Sequence, residues 1–554
     1  MPGPRRQKSK FSPIFKPRKY STAAAGDNQE LNDTRGVLVI GGVGLDLVGT
    51  LPPRESSTGQ PETQEHFNRV SNPGSISTNV GGVAKNIATT MSQLDKNSNV
   101  RLVSAIGKDL TGISVLQDLH NLGLDISEIK ISNRSHTARY MATNSADVSG
   151  GLAVAVADMD IIKKMPKDVV TKAIEKHRPR LVCFDGNLSS STIKALCEEA
   201  KSQGAMVVCE PTSQVKAGRI GTVLADFTCS EERKIDMISP NEMELKTMYE
   251  SWAKPALALI ATGPPISKGR RKKFTSLANR NKTELENFCK SVTSLAPTKT
   301  SFSSKMSRRK RGGKDHAHKN YIYTVEPYYP ISRMVRKSIE LLQVVDTILL
   351  KLGENGVLAV RNVNHPNLPI EADFEDRLAR KQYFPAFEKY VGISEEEAES
   401  TPEENHPEVH ASMFIPVRRF DATDMVVGVQ LDWWPAPKLL RADEVVNSNG
   451  AGDSFLGGFV QAMLSAKESE EIQAERKLKP WEFYGNEYMK VLVEKGQQVA
   501  LSVLRTNESH FVADESLGSL ERGREDIDFW KTMVARFGEF EEIMEVDEEG
   551  DGKS

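Results

Sequence analysis

The amino-acid sequence predicts an α/β protein built around a mostly parallel sheet, and three observations carry that prediction. Short apolar runs of strand length recur along the chain, helix-compatible segments lie between them, and glycines stand where two of these helices should end. Buried parallel strands have this apolar character, and their alternation with helices favours parallel βαβ units. Hydrophobic residues make up 38% of the chain, which is enough for the core of such a sheet.

The predicted strands are short and are spread widely over the chain. The apolar runs lie at 37–40, 101–107, 181–187, 206–212, 237–242 and 347–353. Their length and their β-branched residues are typical of strands that are buried on both faces. Two further runs, 136–145 and 151–159, fall outside the strand–helix alternation and indicate a separate pair of strands.

The segments between these strands have helical spacing. The pattern predicts helices over 78–94, 112–123 and 191–204. The last two end in Gly123 and Gly204, at the position where a helix C-cap belongs.

Two charged segments interrupt the regular core. The first covers about 252–336 and contains the basic runs 269–273 and 307–314; the second covers about 362–410 and contains the acidic run 394–405. Charge blocks with few apolar residues cannot offset the entropy of ordering, so both are expected to be flexible insertions. The basic runs are compatible with a nuclear import signal or a nucleic-acid patch, but inside a near-neutral chain a solvated loop is the favoured interpretation.

Both termini have biased compositions. Residues 1–35 begin with a basic, acid-free stretch that is compatible with a mitochondrial transit peptide or with a disordered tail, and its four early prolines would disrupt an amphipathic helix. We therefore expect a cytoplasmic or mitochondrial location. Residues 531–554 form an acidic tail.

The overall charge and the cysteines exclude several classes of protein. The chain has 73 basic and 75 acidic residues, a net charge of −2, which argues against a general nucleic-acid or membrane-surface binder. Its 5 cysteines show no metal-ligand spacing and are typical of reduced thiols inside a cell.

The stretch NSNGAGDSF, residues 447–455, is a candidate catalytic motif because its glycines lie where a loop becomes a helix. The amides of Gly450, Ala451 and Gly452 can converge on an anion such as phosphate, and the helix dipole adds positive potential. Asp453 would then be a base that takes a proton from an attacking hydroxyl. A tight turn with an N-capping aspartate explains the same residues equally well.

A second candidate follows the first strand, in GGVGLD. The segment lacks the third glycine of a dinucleotide fingerprint, since position 47 is leucine, and no glycine-rich loop of the chain ends in the GK[ST] of a P-loop. Asp46 would instead lie at the carboxyl end of a strand, where open α/β sheets bind ligands, and could accept hydrogen bonds from sugar hydroxyls.

Two further motifs open predicted helices. In GGVAKNIA, Gly82 allows close approach of the backbone to a ligand, and Asn86 could direct an amide at it. In SPNEMEL, Asn241 and Glu244 would share one helix face and could hold a hydrated Mg²⁺. A proline-initiated helix with ordinary surface acids is the alternative for the second motif.

In this order, the four motifs resemble the PfkB, or ribokinase-like, family of carbohydrate and nucleoside kinases. Members of that family transfer the γ-phosphoryl group of ATP to a primary hydroxyl. Within the family, the chain is most similar to pseudouridine kinases, which phosphorylate the nucleoside's 5′-hydroxyl. That similarity rests on SNPG (71–74), IGKDLTG (106–112), TARYMAT (137–143), AVADMDI (155–161), FDGNLS (184–189) and CEPTSQVKAGRI (209–220). A ribokinase-like or adenosine kinase-like enzyme, or an inactive kinase fold whose insertions bind partners, are the alternatives.

The resemblance implies a three-layer α/β/α sandwich over 36–530 with a small β lid from about 48–80 and 134–157. Relatives often dimerise through that lid, so we expect a monomer or a homodimer that binds a nucleoside and ATP, with no specific nucleic acid and no membrane. Many eukaryotic relatives carry an N-terminal pseudouridine-5′-phosphate glycosidase, which the short leader before Val37 leads us not to expect.

The resemblance also implies a role for each candidate residue. Asp453 would be the catalytic base beside an anion hole of Gly450, Ala451 and Gly452. The substrate would contact Asp46, Gly82, Asn86 and Tyr140. ATP would contact Asn241, Lys351 and Gly353, with Glu244 at Mg²⁺. Asn447 replaces a common aspartate and leaves activation by K⁺ open, and Lys351 replaces a common threonine and could reach an ATP phosphate.

Overall fold

The computed structural model describes the predicted α/β region in several separate ranges. The described residues are 36–51, 71, 73–145, 152–230, 232–262, 279, 281–295, 331–365, 411–420, 425–437, 440, 444–445, 449–465, 486–506 and 509–512. The basic leader (1–35), the acidic tail (531–554) and Asn447 therefore lie outside the described residues.

Helices separate many of the strands, as predicted, whereas other strands follow one another directly along the chain. In chain order, the strands are β1 (Val37–Ile40), β2 (Gly44–Leu51), β3 (Ser75–Gly81), β4 (Val100–Gly107), β5 (Ile129–Ser132), β6 (Arg139–Ser145), β7 (Leu152–Asp158), β8 (Leu181–Asp185), β9 (Met206–Glu210), β10 (Ile235–Ile238), β11 (Val345–Lys351), β12 (Val357–His365), β13 (Ala411–Phe420) and β14 (Met425–Trp434). The helices are α1 (Val83–Leu94), α2 (Leu110–Asn121), α3 (Asp160–Lys163), α4 (Lys167–His177), α5 (Ser190–Ser202), α6 (Gln214–Asp226), α7 (Glu242–Thr262), α8 (Lys282–Leu295), α9 (Ile331–Leu341), α10 (Ala451–Ser465) and α11 (Asn486–Leu504).

Among the described residues, the larger sheet has the strand order β13-β14-β12-β11-β10-β9-β8-β1-β4-β5. The seven strands from β11 to β5 pair in parallel, whereas β12, β14 and β13 form an antiparallel extension. The mostly parallel sheet predicted from the sequence is confirmed. Because the parallel strands share one direction, their carboxyl ends open at a single edge, where α/β sheets bind ligands.

Helices cover both faces of this sheet. Along β1, the side chains of Val37 and Val39 enter one hydrophobic core, and those of Leu38 and Ile40 enter the other. The first core also contains residues of α1, α2, α10 and α11, and the second contains residues of α3 to α9. The α/β/α three-layer arrangement is therefore confirmed.

The smaller sheet has the order β3-β2-β6-β7 and forms the lid. The two runs that stood outside the alternation, β6 and β7, pair with each other in antiparallel register. The lid begins at Gly44 rather than near residue 48, because only three residues separate the end of β1 from the start of β2. Residues 52–70 and 146–151 of the predicted lid lie outside the described residues.

One predicted helix begins later than expected. The prediction of a helix over 78–94 is wrong at its start, because β3 continues to Gly81 and α1 begins at Val83. Gly82 separates the two with a φ of +117°, a conformation that L side chains rarely adopt.

The segment 252–336 is not uniformly the flexible insertion that its composition suggests. Helix α7 continues to Thr262, and both α7 and α8 pack into the core through Trp252 (3% exposed) and Phe288 (0% exposed). The signal lay in the apolar spacing of α8, where Leu285, Phe288, Cys289 and Val292 are buried at helical intervals. Burial of these apolar side chains offsets the conformational entropy that α8 loses on ordering, which its charged flanks could not do.

The two basic runs and most of the acidic insertion lie outside the described residues, although β12 extends to His365, past the predicted insertion start at 362. No helix in the described part of the chain combines the length and the apolar character that a membrane span requires.

Candidate active site

Several polar residues lie at the carboxyl edge of the parallel strands, and two of them, Asn241 and Lys351, were predicted site residues. Asp185 ends β8, Glu210 ends β9, Asn241 follows β10 and Lys351 ends β11. Asn241 and Lys351 pair directly as an isolated parallel bridge. The start of α10 lies beside this edge, because the Nζ atom of Lys351 is 3.2 Å from the position that a Cβ atom on Gly452 would take.

The stretch GAGD makes the predicted change from loop to helix. Gly450 has a φ of +76°, and a Cβ atom there would overlap the carbonyl oxygen of Ser509, so the position requires glycine. Helix α10 starts at the next residue, and Ser454 N donates to Gly450 O at 2.8 Å. Among the described residues, the amides of Gly450, Ala451 and Gly452 have no protein acceptor, so they are available to an anion.

Asp453 is not an N-cap, because α10 begins at Ala451 and Asp453 is already its third residue. Its Oδ2 atom accepts a hydrogen bond from Asn86 Nδ2 at 3.0 Å. Burial raises the pKa of the Asp453 carboxyl to about 6, against the hydrogen bond from Asn86 and the charge of Lys351. The charges of Asp185 and Glu244 add to the increase. The carboxyl is thus poised to exchange a proton near neutral pH.

Asp46 does not end the first strand, as the sequence suggested, but lies inside the lid strand β2. There it pairs with Asn79 of β3 and with Tyr140 of β6, so the three side chains share one face of the lid. A Cβ atom on Gly81 would overlap the Asp46 carboxylate, which explains the first glycine of GGVAKNIA.

Electrostatic interactions connect Tyr140 with Asp46, and Asp46 with Asp453. Burial raises the pKa of Asp46 to about 6; the nearby charge of Lys85 opposes the change, and that of Asp453 adds to it. Burial and the charge of Asp46 likewise raise the pKa of the Tyr140 hydroxyl. Asp46 of the lid is therefore close enough to both Asp453 and Tyr140 for their charges to interact.

Gly82 and Asn86, the predicted substrate contacts of GGVAKNIA, both have close contacts within the protein. A Cβ atom on Gly82 would overlap the carbonyl oxygen of Gly42, so this glycine allows two chain segments to cross closely. Asn86 is buried, and its amide lies between Asp453 and Ser509. Both residues thus contact other parts of the protein, and Asn86 donates a hydrogen bond to the Asp453 carboxylate.

Asp185, which was not among the predicted site residues, connects the two chain segments that cross at Gly42 and Gly82. Its buried carboxylate accepts hydrogen bonds from Gly42 N at 2.7 Å, from Ala84 N at 3.1 Å and from Asn187 N at 2.9 Å. It thus joins the end of β1 to the first turn of α1, whose N-cap residue Gly82 has no side chain for that purpose. The available signal was its position at the end of a buried strand, in FDGN.

Asn241 and Glu244 bind each other across the start of α7. Asn241 N donates to Glu244 Oε2 at 2.9 Å, and Glu244 N donates to Asn241 Oδ1 at 2.9 Å. This reciprocal pair satisfies two amides at the helix start, as in a capping box, so the alternative of a helix start is correct for Asn241. Glu244, however, is buried rather than a surface acid, with 4% of its area exposed.

Among the described residues, no group of three or more His, Cys, Asp or Glu side chains could hold a metal ion. Mg²⁺ commonly uses one or two carboxylates together with substrate phosphates and water. The carboxylate of Glu244, with Oε2 engaged by Asn241, fits such a role through its other oxygen.

Lys351 was predicted to reach an ATP phosphate, and in the structure it pairs with Glu210. Its Nζ atom donates to both carboxylate oxygens of Glu210 at 2.8 Å, and the side chains are 15% and 3% exposed. Burial opposes the charge of Lys351, but the facing carboxylates of Glu210 and Glu244 outweigh it and raise the pKa of Lys351. Its ammonium group lies beside Gly452 at the start of α10, and Glu210 engages two of its three N–H donors.

Gly353 begins a short 3₁₀ turn after β11 and has a φ of +58°. No atom lies within 4 Å of the position that a Cβ atom would take there, so this turn faces open space beside the candidate site. Asn447, on which the expectation of K⁺ depends, lies outside the described residues.

Comparison with known proteins finds one family model and several distant relatives. Residues 59–278 match the model of the pfkB family of carbohydrate kinases. Over these residues the chain is similar to pfkB-family carbohydrate kinases. The matched residues include Gly82, Asn86, Tyr140, Asn241 and Glu244; Asp46, Lys351 and Asp453 lie outside them.

The individual proteins to which this chain is similar are distant in sequence. A pseudouridine-metabolizing bifunctional protein of Schizosaccharomyces pombe is 25% identical over 431 residues, which cover 77% of this chain and 43% of that protein. The pseudouridine kinase of Escherichia coli is 25% identical over 214 residues, 38% of this chain and 60% of that enzyme. Each match thus spans less than two thirds of the relative. The ribokinase of Giardia lamblia superposes with a TM-score of 0.47 at 13% identity, covering 86% of this chain and 95% of that one.

Proposed function

We propose that this kinase domain transfers the γ-phosphoryl group of ATP to the 5′-hydroxyl of pseudouridine. The observation that carries the proposal is the start of α10, where a half-buried carboxylate stands next to three amides without a protein acceptor among the described residues. The names of the two curated relatives support the choice of nucleoside.

In this proposal Asp453 accepts the proton of the 5′-hydroxyl as the oxygen attacks the γ-phosphorus. The new O–P bond forms while the bond to the β-phosphate oxygen breaks, and ADP leaves. The amides of Gly450, Ala451 and Gly452 hold the negative charge that spreads over the phosphoryl oxygens. A preorganised donor of this kind typically contributes about 3 kcal/mol in the transition state.

The lid supplies the contacts to the sugar. Asp46 and Tyr140 lie side by side on one lid face, and both carry groups that bind hydroxyls. Asn86 would affect the sugar through the base it orients, and Gly82 through the backbone at the start of α1. Closure of such a lid excludes water, which would otherwise compete with the nucleoside for the phosphoryl group.

ATP would lie against the open turn at Gly353, near the Asn241–Lys351 bridge. Mg²⁺ would be carried on the phosphates, where it neutralises charge, and Glu244 would hold one of its waters. Lys351 would contribute positive potential from beside the helix start while it stays paired with Glu210.

A nucleoside panel tests the substrate. ADP formation should be measured with pseudouridine, uridine, adenosine and ribose as acceptors, each with ATP and Mg²⁺. We expect pseudouridine to give the highest kcat/KM. Saturation only with ribose or adenosine would support a ribokinase-like or adenosine kinase-like enzyme instead, and no turnover with any acceptor would support an inactive kinase fold.

The outer face of the lid supports a homodimer. Ile76, Met141, Val154 and Val156 lie on that face, opposite to Asp46, and are 78%, 50%, 57% and 57% exposed. An apolar patch of this kind on a sheet marks an interaction surface, and two copies can cover it symmetrically.

Light scattering coupled to gel filtration should therefore give twice the monomer mass for the full chain. Replacing Val154 and Val156 with lysine is expected to yield the monomer, because charges would be buried unpaired in the interface. Val215→Lys is the matched control, since Val215 is 84% exposed on α6, away from the lid. A monomeric wild-type chain, or a dimer that survives the double substitution, would contradict the homodimer.

A further inference from the structure

We propose that Ser509, which follows α11, is a positioning residue that holds the Asp453 carboxylate through the amide of Asn86. The geometry is independent of the substrate, and only the kinetic test below rests on the proposed kinase function. The three residues come from three distant parts of the sequence, and no motif connects them.

Two hydrogen bonds in series define the contact. Ser509 Oγ donates to Asn86 Oδ1 at 3.1 Å, and Asn86 Nδ2 donates to Asp453 Oδ2 at 3.0 Å. An ionised carboxylate only accepts hydrogen bonds, so the amide nitrogen must face Asp453 and the amide oxygen must face Ser509. The serine hydroxyl therefore favours the one amide orientation that supports the base.

Neighbouring contacts anchor this serine. The carbonyl oxygen of Ser509 occupies the space where a Cβ atom on Gly450 would lie, directly beside the anion hole. His510 Nδ1 lies 2.8 Å from Lys85 Nζ, and Phe511 N donates to Thr90 Oγ1 at 3.4 Å. Consecutive residues of this segment thus attach to α1 on both sides of Asn86.

Burial makes the arrangement sensitive to the loss of a single group. Ser509 is 7% exposed, Asn86 is 4% exposed, and Lys85 is 1% exposed. Burial and the charge of Lys85 lower the pKa of His510 to about 3, so His510 remains a neutral acceptor for Lys85 wherever Asp453 titrates. The anchor therefore does not itself change with pH in the range that matters for the base.

Removal of the serine hydroxyl leaves Asn86 restrained on one side only. The amide can then rotate and present its oxygen to Asp453, and the carboxylate loses the hydrogen bond that lowers its pKa. The base would be both less well oriented and more often protonated. A residue with only a structural role would not produce the second effect.

The test is Ser509→Ala in the full chain, assayed with ATP, Mg²⁺ and the best acceptor of the nucleoside panel. At pH 7 we expect kcat to fall about threefold to tenfold, which corresponds to one hydrogen bond, with an unchanged KM for ATP. The midpoint of the acid limb of kcat should move to higher pH, so that the loss becomes smaller at pH 8.5. Ser509→Thr should restore most of the rate.

A control variant and a double variant show whether Ser509 acts through Asn86. Ser502→Ala, which removes a hydroxyl that bonds within α11 to Val499 O, should leave both kcat and the acid limb unchanged. Asn86→Ala and the double variant Asn86→Ala/Ser509→Ala should have the same kcat, because Ser509 acts only through Asn86. Multiplying losses, or an unmoved acid limb in Ser509→Ala, would overturn the proposal.

If the wild-type chain phosphorylates no acceptor, the proposed function fails, and the positioning contact is tested by thermal unfolding. The Tm losses of Ser509→Ala and Asn86→Ala should then be smaller in combination than their sum. Additive losses would overturn the contact itself.

Discussion

Replacing Asp453 with asparagine should lower kcat by about 10²- to 10⁴-fold, with little change in the KM for ATP. The asparagine keeps the size of the side chain but cannot accept the proton of the attacking hydroxyl. The amides at residues 450–452 remain in place, so binding of phosphate is retained and the loss appears in kcat. Steady-state kinetics with coupled ADP detection measures both constants.

The control for Asp453→Asn is Asp168→Asn, which removes an exposed carboxylate of α4 that pairs with the nearby Lys172. That variant should keep wild-type kinetics. In the wild type, kcat should fall as the pH drops below about 6, the pKa to which burial raises Asp453, because the protonated carboxyl cannot act as a base. Turnover in Asp453→Asn comparable to that of Asp168→Asn would remove Asp453 from the mechanism.

Replacing Lys351 with methionine should destabilise the fold strongly. Lys351 and Glu210 form a buried ion pair in which both carboxylate oxygens are engaged. Removal of the cation leaves the buried Glu210 carboxylate without its partner, which typically costs about 3–5 kcal/mol. Urea unfolding followed by circular dichroism should show a lower midpoint with a similar slope.

A second substitution separates loss of charge pairing from loss of packing. In Lys351→Met/Glu210→Gln the unpaired charge is gone, and we expect most of the lost stability to return. Lys172→Met, which breaks an exposed pair with Asp168, should change the free energy of unfolding by less than about 1 kcal/mol. Equal unfolding midpoints for Lys351→Met and Lys172→Met would show that the Glu210–Lys351 pair does not stabilise the fold.

Local sequence patterns predicted many of the strands of the fold. The apolar runs predicted β1, β4, β8, β9, β10 and β11, and the paired runs predicted β6 and β7. These predictions succeed because strand and helix periods are properties of consecutive residues. The start of α10 was likewise predicted from consecutive residues, the glycines and the acid of GAGD.

Composition was less informative where apolar residues are diluted by charge. The segment that contains α8 was expected to be flexible, because its charged flanks dominate the average over a long window. The short helical repeat of Leu285, Phe288 and Val292 nevertheless builds a buried face. Packing responds to the positions of a few side chains rather than to the mean character of a segment.

The partners of the site residues depended on the tertiary structure alone. Asn86 and Asp453 are 367 positions apart, and Lys351 and Glu210 are 141 apart, so no local pattern could pair them. The same applies to Asp185, which ties Gly42 to the start of α1, and to Ser509 behind Asn86.

The sequence alone was thus enough to predict the α/β layers, the helix start at GAGD and the acid at position 453, because these follow from the order of neighbouring residues. Only the folded chain decided that Asn86 faces the base, that Asp46 belongs to the lid, and that Lys351 is paired with Glu210. Hydrogen bonds and ion pairs form between whichever groups packing brings within about 3 Å, and that proximity is a property of three-dimensional contacts.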